Sequence, residues 1–126
     1  IPGYYPPMVT AKALEVGPIT SATFAKAYQK GVNIAFGTDS GVSHHGDNAR
    51  EFVYMEQSGM PFKAALKAAT TTNAALLGME DQLGRVAPGF LADLIALSQH
   101  PDRGAEAALG VVFVMKDGRI YKQSTP

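Results

Sequence analysis

The chain contains no cysteine. Disulfides and thiolate ligands are therefore excluded, and any metal bound here takes oxygen or imidazole donors. The absence does not choose a compartment, and cytoplasm and periplasm both stay open. Charge of one sign is lacking too, since 11 basic and 11 acidic side chains give a formal net charge of zero. Nucleic acid and anionic membrane thus find no polybasic footprint. The longest apolar runs fall far short of the roughly 20 residues of a membrane-spanning helix, and the opening residues lack a signal-peptide pattern. There is no internal repeat, glycine-rich phosphate loop, Ser-His-Asp order or nucleophile elbow. Length is limiting as well: 126 residues suffice for one ordinary domain, whereas a closed eight-stranded barrel needs about 250.

What is present begins with Ile1-Pro2-Gly3-Tyr4-Tyr5-Pro6-Pro7, which reads as a loop entered midway. Proline fixes φ and disfavours helix in the residue before it, so an extended or turned segment is expected. Ile1 in place of an initiator methionine suits a processed terminus or a piece of a longer protein, and the motifs below favour the piece. A helix is expected from Gly17-Pro18, with Thr20 or Ser21 as its cap, Phe24, Ala27 and Tyr28 on one face, and Lys30-Gly31 as its stop. Val32-Asn33-Ile34-Ala35-Phe36 follows at once and predicts a strand buried on both faces. Gly37-Thr38-Asp39-Ser40 ends that strand, and a glycine- and histidine-rich loop runs on to Asn48.

A second helix is expected from about Asn48 to Gln57. A third starts at Pro61, its Phe62, Ala65, Leu66 and Ala69 recurring at helical spacing. Thr70-Thr71-Thr72 interrupts that rhythm, because β-branched hydroxyl residues compete with the helix for its own backbone. A short helix from Asn73 then ends at Gly78. Beyond Gly84 the texture turns to β: Ala92–Leu97 predicts one strand, and Val111–Met115 and Ile120-Tyr121 predict a hairpin closed by Asp117-Gly118.

Asp39 carries the chemistry. An acid at the exit of a buried strand is where an α/β barrel keeps catalytic and metal-binding groups, yet a turn or cap aspartate has the same local signature. Thr38 and Ser40 are candidate donors to its carboxylate. His44 and His45 lie in the following loop and are within reach of the same mouth, and a substrate contact suits them better than joint zinc ligation. His100 reads as surface, Tyr4, Tyr5 and Tyr28 as packing or substrate contacts, and Arg50 and Arg85 as possible carboxylate clamps.

Three stretches together resemble the C-terminal third of the amidohydrolase superfamily, in particular its prolidase-like and imidazolonepropionase-like members. They are Gly31–Gly41 with His45-Gly46, then Ala68–Gly78, and then Leu83–Ile95, the last matching a Gly-x-(Ile/Val)-x-x-Gly-x-x-Ala-Asp-Leu signature. The closing Val-x-Lys-Asp-Gly-Arg-Ile hairpin fits as well. The resemblance implies an α/β fold: the C-terminal segment of a (β/α)8 TIM-type barrel over residues 1–82, and terminal strands of a small β-sandwich over 83–126. It implies hydrolysis of a peptide or cyclic amide bond by metal-activated water, a prolidase-like dipeptidase or carboxypeptidase being preferred. A deaminase of the same superfamily and a non-enzymatic α+β domain are the alternatives.

By the same resemblance Asp39 is catalytic and a metal ligand, His45 binds substrate, and Asp93 is structural. The cofactor implied is zinc, as one or two ions, and the partners implied are a small peptide or cyclic amide substrate, with neither nucleic acid nor membrane. The family's His-x-His, bridging lysine and two later histidines have no counterpart in these residues. The chain alone is therefore expected to be inactive and to need an N-terminal barrel segment, within an enzyme that forms a homo-oligomer.

Overall fold

The computed structural model describes residues 5–41 and 44–124. The first element, α1, spans Pro7–Gln29 and starts far upstream of the expected Gly17-Pro18 boundary. Pro6 is extended at φ −53° and ψ 145°, and Pro7 opens the helix where its missing N–H costs no bond. Pro18 lies inside. The residue before it, Gly17, has no Cβ to strike the pyrrolidine ring, although Pro18 still offers no N–H to the Leu14 carbonyl. Thr20 is accordingly no cap, and its hydroxyl donates to the Val16 carbonyl at 3.2 Å. Of the expected opening loop, Ile1 to Tyr4 lie outside the described residues.

Gly31, at φ +75°, ends α1, and Val32 N–H reaches back to the Ala27 carbonyl at 3.1 Å. That left-handed glycine turns the chain into the Val32–Phe36 segment. The segment is extended, but among the described residues no strand pairs with it, so it forms no ladder. Its burial is also one-sided, correcting the expectation of a strand covered on both faces. Ile34 and Phe36 are half-buried against the helices, whereas Val32, Asn33 and Ala35 are exposed. A strand is a pairing of backbones, and an apolar run cannot supply its own partner.

A 3-10 turn, Asp47–Ala49, leads into α2, Arg50–Gln57. Next comes α3, Phe62–Lys67, which continues through a π-helical turn at Ala68–Thr72 into α4, Asn73–Leu76. The expected interruption at the threonines is thus a widened turn, with the Thr70 hydroxyl donating to the Leu66 carbonyl at 2.7 Å. Strands β1 (Leu94–Leu97), β2 (Val111–Lys116) and β3 (Arg119–Gln123) form an antiparallel sheet in that order. Asp117 and Gly118, at φ +49° and +73°, make the tight turn expected of Asp-Gly. Two 3-10 segments, Pro101–Arg103 and Ala105–Leu109, connect β1 to β2.

Two apolar clusters hold these elements. Met55, Met60, Ala65 and Ala68 form one, with Phe24, Tyr28, Ile34 and Phe36 packed on it. Phe62, Ala105, Ala107 and Ala108 form the other, with Leu97 and Val53 against it. Phe52 touches both, stacking on Phe36 at 4.3 Å between centroids and meeting Phe62 edge-on at 5.5 Å. Such aromatic pairs contribute about 0.5–1.5 kcal/mol beyond their burial. Through Phe36 they anchor the extended segment three residues before Asp39.

Candidate active site

Burial alternates along the extended segment and past its end. Ile34, Phe36, Thr38 and Ser40 are half-buried; Ala35, Gly37 and Asp39 are exposed. Asp39 therefore stands on the side of the segment away from the helical layer. It takes φ +45°, a left-handed conformation that aspartate tolerates better than most residues. Among the described residues no hydrogen bond or ion pair engages its carboxylate.

Two asparagines fix this stretch. Asn73, opening α4, accepts from Phe36 N–H at 3.0 Å and donates to the Phe36 carbonyl at 2.9 Å. Its carboxamide thereby acts as a one-residue strand neighbour. It satisfies the only backbone groups of Asn33–Phe36 that find a partner among the described residues. Asn48, in the turn before α2, donates through Nδ2 to Ser40 Oγ at 2.6 Å and Thr38 Oγ1 at 3.3 Å. Its Oδ1 accepts from Gly46 N–H at 3.1 Å. The Thr38 and Ser40 hydroxyls lie 3.0 Å apart and bond each other, and among the described residues neither holds the Asp39 carboxylate as the sequence suggested.

His45 is exposed, in the turn closed by Gly46 at φ +101°. His44 is exposed as well, and its carbonyl accepts from Asp47 N–H at 3.2 Å. The Asn48 bond to Gly46 links the His45 loop to the Asp39 loop. Among the described residues no group of three or more His, Asp or Glu side chains converges to hold a metal ion. Asp39 and the histidines are therefore brought into neighbouring loops without forming a ligand cluster.

The other candidates fall elsewhere. Arg50 faces Asp47 at 3.7 Å, Arg85 is exposed, and Tyr28 packs in the first apolar cluster. Tyr4 lies outside the described residues. His100 is on the surface, where its Nδ1 accepts from Asp102 N–H at 3.2 Å. Lys63, at 2.6 Å, holds Asp102 below the usual carboxylate range through a hydrogen bond and its charge. A groove between α1 and α2, about 460 Å³, is lined by Phe24, Glu51, Tyr54 and Met55, and neither Asp39 nor His45 borders it. Burial there raises Glu51 above its ordinary value.

Asp93 closes the β part. One carboxylate oxygen meets Lys116 Nζ at 2.7 Å and the other accepts from Asp117 N–H at 2.7 Å. The lysine hydrogen bond, then the backbone one, lower its pKa. Gly118 N–H adds a bond to the Ala92 carbonyl at 3.1 Å, so the Ala-Asp-Leu aspartate pins the hairpin turn to the start of β1. Neither Asn48 nor Asn73 was singled out from the sequence as a site residue. Their one available signal was position: Asn48 follows His45-Gly46, and Asn73 closes the threonine run.

Known proteins resemble the chain over part of their length. A crystal structure of a Xaa-Pro dipeptidase with methionine bound in its active site superposes with a TM-score of 0.84 and 50% identity, over 97% of this chain and 30% of that one. A prolidase complexed with N-methylphosphonate-L-proline gives a TM-score of 0.78 and 28% identity, over 96% and 30% of the two chains. A 5-methylthioadenosine/S-adenosylhomocysteine deaminase of Teredinibacter turnerae is 33% identical over 90 residues, 64% of this chain and 20% of that protein. The chain thus spans no more than 30% of these relatives, and its mixed helices and strands match the corresponding part of their amidohydrolase fold. With the Amidohydrolase family profile matching residues 8–122, the chain belongs to that family.

Proposed function

We propose that the chain is part of a metal-dependent amidohydrolase that hydrolyses small peptides ending in proline. In this reading Asp39 is the catalytic group and a metal ligand, and His45 contacts substrate. The observation that carries it is the Asp39 carboxylate, at the end of the extended segment, on its exposed side and engaged by no neighbour among the described residues. The Xaa-Pro dipeptidase, 50% identical over 97% of the chain, supports the substrate class. Val32–Phe36 would be the last strand of a (β/α)8 barrel formed by residues 1–82 with an N-terminal barrel segment, and 83–126 the end of a small β-sandwich. An extended segment covered on one side and, among the described residues, without a ladder partner supports that placement. The full enzyme would be a homo-oligomer.

Zinc suits a site of oxygen and imidazole donors, but a catalytic zinc takes about three protein ligands. The described residues fit it as a partial donor set, with Asp39 as one oxygen ligand. Whether one ion or two, the metal when bound supplies a water that ionises near neutral pH. Asp39 Oδ would then take the proton from the attacking water and return it to the leaving amine, which departs only once protonated. The Teredinibacter relative favours a second reading, deamination, on 33% identity over 64% of the chain.

Product analysis separates the two. The natural protein, incubated with an Xaa-Pro dipeptide, is expected to release free proline, to stop on chelation and to recover with zinc. Asp39→Asn should lower turnover by about 10²–10⁴-fold. Ammonia release from a methylthio-substituted adenine nucleoside, with the dipeptide untouched, would transfer the assignment to deamination. No turnover of either, with Asp39→Asn indistinguishable from wild type, would return the chain to a non-enzymatic α+β domain.

A further inference from the structure

We propose that Asn48 is a positioning residue for Asp39: it holds the aspartate's backbone so that the carboxylate stays outside the local hydrogen-bond knot. The proposal rests on the reading of Asp39 as a metal ligand. A non-glycine residue at φ +45° persists where its surroundings hold it, and here both flanking side chains are tied down. Thr38 and Ser40 bond each other at 3.0 Å, and the two hydrogens of Asn48 Nδ2 reach Ser40 at 2.6 Å and Thr38 at 3.3 Å. The knot turns both hydroxyls toward Asn48, and among the described residues neither of them bonds the Asp39 carboxylate, which is left to an incoming ligand. Through Gly46, 3.1 Å from Asn48 Oδ1, the same amide also fixes the spacing between the Asp39 loop and the His45 loop. Asn48 itself needs no contact with substrate.

Hydrogen exchange on the metal-free natural protein and zinc affinity by chelator competition test this independently of any substrate. Asn48→Ala is expected to speed amide exchange at residues 38–41 and 44–46 and to weaken zinc about tenfold, the lower range for loss of a residue supporting a ligand. Asn48→Asp keeps the acceptor for Gly46 but loses the donor pair, and should behave like Asn48→Ala. Ser40→Ala should show a smaller loss, and the Asn48→Ala/Ser40→Ala pair should be no worse than Asn48→Ala alone, because both break one knot. Unchanged zinc affinity in Asn48→Ala, or losses that multiply independently in the pair, would overturn the proposal. If Asn48→Ala does not fold, Ser40→Ala with Thr38→Val decides, since wild-type zinc affinity in that variant also refutes it. Asp39→Asn run in parallel identifies which step failed. Undiminished zinc binding there removes the reading of Asp39 itself, whereas loss in Asp39→Asn with none in the Asn48 and Ser40 variants removes only the positioning.

Discussion

Asn73→Ala is the most informative single perturbation of the scaffold. The carboxamide makes two bonds to Phe36, at 3.0 and 2.9 Å, across 37 positions of sequence. Each such bond is worth about 1 kcal/mol net, and a half-buried donor or acceptor left without a partner adds its own desolvation cost. Asn33–Ala35 make no backbone bonds among the described residues, and within these residues Asn73 is the one partner the Phe36 groups have. We expect a loss of about 2–3 kcal/mol. Urea unfolding of the natural protein measures it, as a lowered midpoint at unchanged slope. Asn73→Asp separates the two bonds: it keeps the acceptor for Phe36 N–H and sets a carboxylate oxygen against the Phe36 carbonyl, so it should cost at least as much as alanine. A loss under about 0.5 kcal/mol in Asn73→Ala, the size of an ordinary surface change, would refute the clamp.

Gly84→Ala should destabilise by about 2–4 kcal/mol, combining the left-handed backbone penalty with overpacking. Gly84 sits at φ +84°, and an added Cβ would lie 2.8 Å from the Thr70 carbonyl oxygen and 3.1 Å from Ala74 Cβ. A thermal melt within one degree of wild type would show that the threonine turn yields freely. Asp93 gives a pH prediction. Its pKa is lowered in the folded state, so its contribution is present above the ordinary aspartate value, about 3.9, and is lost as pH falls through the depressed folded value. Asp93→Asn should lower stability at neutral pH and flatten the acid limb of the stability curve; parallel acid limbs in variant and wild type would exclude the linkage.

Much of this protein was legible residue by residue. Asp117-Gly118 announces its turn because positive φ at both positions is a property of those two residues. The starts of α2 and α3, the break at Thr70–Thr72 and the glycine ends follow from propensities acting within a few positions. The ordered motifs around Asp39, Thr70 and Asp93 carried the family. The start of α1 lies upstream of the expected boundary because proline usually opens or ends a helix, whereas this helix runs through Pro18.

Tertiary structure decided what depends on partners distant in sequence. Whether Val32–Phe36 forms a ladder depends on backbones other than its own, so hydropathy alone could mark it as extended but could not pair it. Asn73 bonds Phe36 because the π turn and the Phe36–Phe52 stack bring the two together. Thr38 and Ser40 turn toward Asn48 rather than toward Asp39, a choice among hydroxyl partners that spacing does not express. The sequence by itself determined the family and the chemical type of the residue at position 39. Folding decided what that residue is free to do, because hydrogen-bond competition is settled by distances that only the packed chain defines.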